Sequence, residues 1–145
     1  MVPAGVLDFL EAVRLWAPAI PGVKAVALVG SHAAGRARPD SDVDLVVLCD
    51  DPGRLLSDRA WLGEFGEPAA VSVEDWGAIT SLRVRYAGGL EVEWGLGRPS
   101  WAATAPLDAG TARVVADGFR PLYDPDGLLG ALLQAVPRLK KHPTG

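Results

Sequence analysis

Residues 28–47 read LVGSHAAGRARPDSDVDLVV. The run VKAVALV over 23–29 is nearly all apolar and ends at Gly30, which predicts an interior strand. Gly30-Ser31 is followed by ten residues and then by Asp42-Val43-Asp44, which opens DVDLVVLC over 42–49, a second predicted strand. Between them, residues 31–37 are expected to form a short helix after a tight turn, and Pro39, Asp40 and Ser41 a loop.

The two aspartates decide what this segment does. Residues i and i+2 of a strand share a face and lie about 6.7 Å apart along it. Asp42 and Asp44 therefore project together, while Val43, Leu45 and Val47 turn into the core. At an effective dielectric of about 20, two such charges repel by about 2.5 kcal/mol. Solvated acids at an exposed strand start would tolerate that repulsion. A divalent cation between them would reverse its sign, and oxygen-only ligands suit Mg²⁺ or Mn²⁺. Gly30 lets the chain turn sharply and lets a phosphate approach the backbone. A helix starting at residue 31 would direct free amides at that phosphate. The Ser31 hydroxyl is then a phosphate donor, a role compatible with helix capping. Carboxylates for a metal beside a phosphate cradle are the parts that phosphoryl or nucleotidyl transfer needs.

In this Gly-Ser pair, ten-residue spacer and Asp-x-Asp, the segment resembles the signature of the DNA polymerase β-like nucleotidyltransferase superfamily. Gly30, Ser31, Asp42 and Asp44 fall on the pattern. The resemblance implies a nucleotidyltransferase fold and a third carboxylate on a neighbouring strand. GLEVEWGL offers Glu93, with Glu91 in reserve on the same face. It implies Mg²⁺ or Mn²⁺ on Asp42, Asp44 and Glu93, a nucleoside triphosphate (ATP) as substrate, and transfer of AMP to a protein or small-molecule acceptor. The third acid would bind metal, act as general base, or do both.

Two sub-families bear on the acceptor. Antibiotic nucleotidyltransferases carry an additional helical domain, for which 145 residues leave no room. Minimal nucleotidyltransferases pair with a separate helical protein of the HEPN type in antitoxin–toxin modules. Such a partner, or a homodimer, would supply the missing wall. A different class stays open: a non-catalytic nucleotide- or partner-binding module on the same fold.

Outward from the motif, residues 4–17 predict a helix with Val6, Leu7, Leu10, Val13 and Leu15 inward, stopped by Pro18 and Pro21. A helix is expected over 55–62, strands over 69–75, 79–87 and 89–96, and a hairpin turn at Ala87-Gly88-Gly89. A helix over 109–117 closed by Gly118, an edge strand over 119–123, and a helix over 126–136 capped by Asp124 or Asp126 complete the order. The tail after Lys140 is expected to fray. The whole reads as one domain over 1–145, an α+β (mixed α/β) fold with a single mixed sheet and helices mainly on one face.

Composition narrows the partners. Apolar residues make up 49% of the chain, enough for a core, and the formal charge is −4. An acidic chain without a basic stripe argues against gripping long nucleic acid, and against a polynucleotide-end transferase. No apolar run is long enough to span a membrane and no signal peptide is visible, so the expected location is the cytoplasm. The single cysteine, Cys49, reads as a small buried hydrophobe. In the spacer, Arg36, Arg38 and Ser41 are either triphosphate contacts or solvent-facing; Arg36 and Ser41 are carried forward as binding residues. His32 could reach nucleotide but has no second histidine for a metal. Trp94 alternates away from Glu93 into the core, and Trp101 is a candidate wall of a base or acceptor pocket.

Overall fold

The computed structural model describes residues 4–136. The tail expected to fray, with Lys140, Lys141 and His142, lies outside them. Six strands form one mixed sheet in the order β3-β4-β5-β2-β1-β6. They are β1 (Val23–Val29), β2 (Val43–Cys49), β3 (Pro68–Asp75), β4 (Thr80–Tyr86), β5 (Glu91–Gly97) and β6 (Phe119–Tyr123). Only the central pair β2–β5 is parallel; the other neighbours run antiparallel. The helices are α1 (Ala4–Trp16), α2 (Gly30–Ala34), α3 (Pro52–Ser57), α4 (Ala109–Asp117) and α5 (Leu128–Ala135). The expected fold class, a mixed sheet with helices, therefore holds.

Strand alternation divides the core in two. On one face Val26, Leu28, Val43, Leu45, Val47, Leu82, Val84, Val92, Trp94 and Leu96 pack under α1. An aromatic knot closes this layer: Trp94 is fully buried, with the ring centres of Trp61 at 4.9 Å and Phe65 at 5.0 Å. Trp94 is a core residue, as its alternation requires. On the other face Ala25, Ala27, Val46 and Leu48 pack against Phe119, Val115 of α4, and Leu129 and Leu132 of α5. The helices are thus shared between both faces, not gathered mainly on one. Small side chains on alternate positions of β1 make room for this second layer.

Two helix expectations need correction. In α1 the buried stripe is Val6, Phe9, Leu10, Val13 and Trp16, whereas Leu7 and Leu15 are exposed. Spacings of three and four keep one face, and Leu7 and Leu15 fall off it. The helix expected over 55–62 is broken. The helix α3 ends at Ser57, Asp58 turns extended, and a 3-10 segment runs over Ala60–Phe65. Asp58 Oδ1 accepts from the Ala60 amide, and buried Trp61 donates from Nε1 to the Leu55 carbonyl. The break lets Trp61 reach the aromatic knot. The hairpin turn at Ala87-Gly88-Gly89 is found where expected, with the Gly89 amide donating to the Tyr86 carbonyl at 2.8 Å.

Of the two proposed caps for α5, Asp124 does the work, its carboxylate accepting from the Leu129 and Gly130 amides. Asp108 caps α4 by accepting from the Thr111 amide at 3.0 Å. Asp108→Ala is expected to cost about 1 kcal/mol in urea unfolding. Cys49 is buried, and burial raises its thiol to about 11, as fits an unreactive core residue.

Candidate active site

The motif closes on itself at the ends of β1 and β2. Gly30 has φ +75°, and a Cβ placed there would lie 2.5 Å from Asp44 Oδ2. Only glycine meets both conditions. Behind it, a Cβ on Gly118 would lie 2.8 Å from the Gly30 carbonyl and 2.9 Å from Ala34, so α2 packs directly on the end of α4. The helix α2 starts at Gly30 and ends at Ala34, shorter than expected, because Gly35 turns left-handed at φ 75°. Val29, not Ser31, is the capping residue. Ser31 lies in the first turn of α2 and its side chain is half-buried.

The spacer is a brace. His32 is buried, with Nε2 3.3 Å from the Ser41 carbonyl, and so holds the loop. The Ser41 hydroxyl accepts from the Arg38 amide at 2.8 Å. The Arg36 amide donates to the Ser31 carbonyl, and its side chain stands in solvent. These bonds fix the chain just before Asp42, which precedes the first residue of β2.

The parallel register then sets the acids side by side. Asp44 of β2 is the Cα partner of Glu93 of β5, and neighbouring strands lie about 4.8 Å apart. Glu91 shares that face but lies past the start of the β2 pairing and is exposed. Burial, and then the charges of Glu93 and Asp42, raise the Asp44 carboxyl to about 6; Arg83 pulls the other way.

Arg83 is the residue that the sequence reading passed over. It is the cross-strand partner of Glu93 in β4–β5. Its guanidinium donates from Nη1 to Asp42 Oδ2 at 2.6 Å and from Nη2 to Glu93 Oε1 at 2.7 Å. Its Nε lies 3.7 Å from Glu74 Oε1. Asp42, Asp44 and Glu93 have the all-oxygen chemistry that suits Mg²⁺ or Mn²⁺. Among the described residues, however, no three His, Cys, Asp or Glu side chains converge to hold one ion. The guanidinium stands between two of the acids.

Asp44 and Glu93 form part of the wall of a cavity of about 390 Å³. Trp76, Ile79, Trp101 and Val114 give it an apolar side. Gly95 makes its floor: a Cβ there would lie 3.0 Å from Ile79 Cγ2. Trp101 lines this cavity, and so does Trp76, which is exposed on the loop after β3 and was not foreseen there.

Residues 9–84 match the nucleotidyltransferase domain family. The chain belongs to that family. The matched span contains Gly30, Ser31, Asp42, Asp44 and Arg83, while Glu93 lies beyond its end. Similar solved structures include an aminoglycoside 6-adenyltransferase from Bacillus subtilis, at 14% identity over 67% of this chain and 36% of that one, with a TM-score of 0.49. The polymerase core of TRAMP, an RNA surveillance complex, is 19% identical over 63% of this chain and 29% of that one, with a TM-score of 0.44. Cid1 in complex with the UTP analog UMPNPP gives 19%, 63%, 29% and 0.43 for the same quantities. The nucleotidyltransferase domain described here thus spans about a third of the length of these proteins. No curated protein matches the chain. Among the described residues, no helix is long and apolar enough to cross a membrane.

Proposed function

We propose that this nucleotidyltransferase domain moves a nucleoside monophosphate, AMP from ATP, to a protein or small-molecule acceptor, and that it does so in the cytoplasm. The observation that carries the reading is the parallel register that sets Glu93 beside Asp44, with Gly30 closed against the same carboxylate. Asp42, Asp44 and Glu93 would hold Mg²⁺ or Mn²⁺, which when bound supplies charge neutralisation at the phosphates. The backbone after Gly30 and the Ser31 hydroxyl hold the phosphates by donating to their oxygens. Arg36 and Ser41 lie on the loop beside them. The acceptor oxygen forms a bond to the α-phosphorus, the bond from that phosphorus to the β-phosphate oxygen breaks, and pyrophosphate leaves. Glu93 would bind the metal, take the acceptor's proton, or do both.

The acceptor side is a cavity with an aromatic wall, open enough for a small molecule or a side chain of a partner. A helical HEPN-type protein or a second copy of the chain would complete it. One observation favours a second reading, a non-catalytic binding module: Arg83 ties Asp42 to Glu93.

Calorimetry of ATP with Mg²⁺ separates the two. Wild type is expected to bind ATP only with the metal, and Asp42→Asn/Asp44→Asn to lose that binding. Metal-independent binding, unchanged in the double variant, would favour the module. No binding by wild type alone would direct the search to a partner that completes the site.

A further inference from the structure

Arg83 sits where a positive charge matters most, yet nothing in the proposed transfer uses it. Four acids surround it or its partners: Asp42, Asp44, Glu74 and Glu93. One guanidinium cannot neutralise them, so the group keeps a net negative charge that attracts a further cation. The fork does not clasp one carboxylate with both arms. It spans two, Asp42 and Glu93, and so lies between the acids that the proposed function assigns to a divalent ion.

The surroundings give the guanidinium somewhere else to go. Its side chain is 42% exposed, so it can move without disturbing the core. Glu74 Oε1 is shielded from solvent and has no hydrogen-bond partner, a costly state for a carboxylate oxygen. It lies 3.7 Å from Nε of the same arginine, too far for a hydrogen bond. On the other side of Arg83 from Glu74 opens a cleft lined by Ala70, Ser72, Arg85 and Glu91.

We propose that Arg83 is a built-in counterion of the carboxylate centre: its guanidinium takes the place of the divalent cation between Asp42 and Glu93, and exchanges those acids for Glu74 when the cation binds. The inference rests on Asp42, Asp44 and Glu93 being the cation ligands. Arg83 is a positioning residue in this scheme. It keeps the acids gathered without metal, and it sets a threshold of cation concentration below which the centre stays closed. Removing the arginine charge tightens cation binding in any case; the exchange adds that the size of the effect depends on Glu74, which a positive charge standing merely nearby would not require.

The test is Mn²⁺ binding to the full chain, followed by electron paramagnetic resonance without nucleotide. Arg83→Gln is expected to bind Mn²⁺ about tenfold more tightly than wild type. Arg83→Lys, which keeps the charge but loses the fork, should fall between them and guards against misfolding of the first variant. Glu74→Gln should weaken binding in wild type and have no effect in the Arg83→Gln background. Equal or weaker binding by Arg83→Gln, with wild-type binding still lost in Asp44→Asn, would overturn the exchange and leave the metal site standing. No Mn²⁺ binding by wild type or by either Arg83 variant would overturn both.

Discussion

Asp44→Asn is expected to abolish nucleotidyl transfer and, without divalent cations, to make the protein more stable at neutral pH. The two effects have one cause. Asp44 is part-buried beside Glu93 and Asp42, and its carboxyl is raised from 3.8 to about 6. The folded chain therefore holds a proton there that the unfolded chain releases. The contribution of this group to stability is greatest below pH 4, falls as pH rises from about 4 to about 6, and then stays lowered. The full shift corresponds to about 3 kcal/mol; solvent reaching the half-buried group screens this to about 1–2 kcal/mol. Asparagine removes the charge, so in chelator near pH 7.5 the variant should melt about 3–8 °C higher than wild type. Near pH 4 the two should coincide. Transfer should fall by about a thousandfold or more, since metal stabilisation of the transition state amounts to several kcal/mol. A variant that melts lower at neutral pH would show that the Asp44 charge is favourably paired. A variant with full activity would remove Asp44 from the chemistry.

The motif was legible because it is local. Strand alternation alone puts Asp42 and Asp44 on one face, and it also selects the face of Glu93. Choosing Glu93 over Glu91 as the neighbour of Asp44 needs the β2–β5 register, which joins segments about fifty residues apart and leaves no trace in either one. Arg83 is a different case, since its position could have been counted. The turn at Ala87-Gly88-Gly89 sets Tyr86 opposite Leu90, and three steps outward on each strand reach Arg83 and Glu93. A hairpin with a recognised turn fixes its own cross-strand pairs. The division of helices between the two faces was not legible, because the alanines at 25 and 27 say only that something packs closely there. The broken helix near Asp58 follows from where Trp61 must go, a tertiary demand that outweighs local propensity.

Gly30→Ala carries the second large effect, and it distinguishes a strained loop from a built site. Two separate costs meet at this residue. The backbone lies at φ +75°, where a side chain is strained by about 1–2 kcal/mol. The new methyl would also lie 2.5 Å from Asp44 Oδ2, inside contact distance. The Gly30 backbone cannot yield easily, because Gly118 closes against its carbonyl from behind; the Asp44 backbone is fixed between β1 and β5, but its carboxylate is the end of a side chain that can rotate aside. The sum is about 1–3 kcal/mol in chemical denaturation, more than an ordinary surface change. The direction of relief matters for function. If Asp44 rotates away from the methyl, it leaves Glu93 and the proposed cation position, so Mn²⁺ affinity should drop together with stability. Gly35→Ala supplies the contrast. That residue also has positive φ, at +75°, but nothing lies within 4 Å of its Cβ position. It should show the backbone cost alone and keep its cation affinity. Equal loss of Mn²⁺ binding in both variants would mean that the α2 turn as a whole, and not the contact between Gly30 and Asp44, shapes the carboxylate centre.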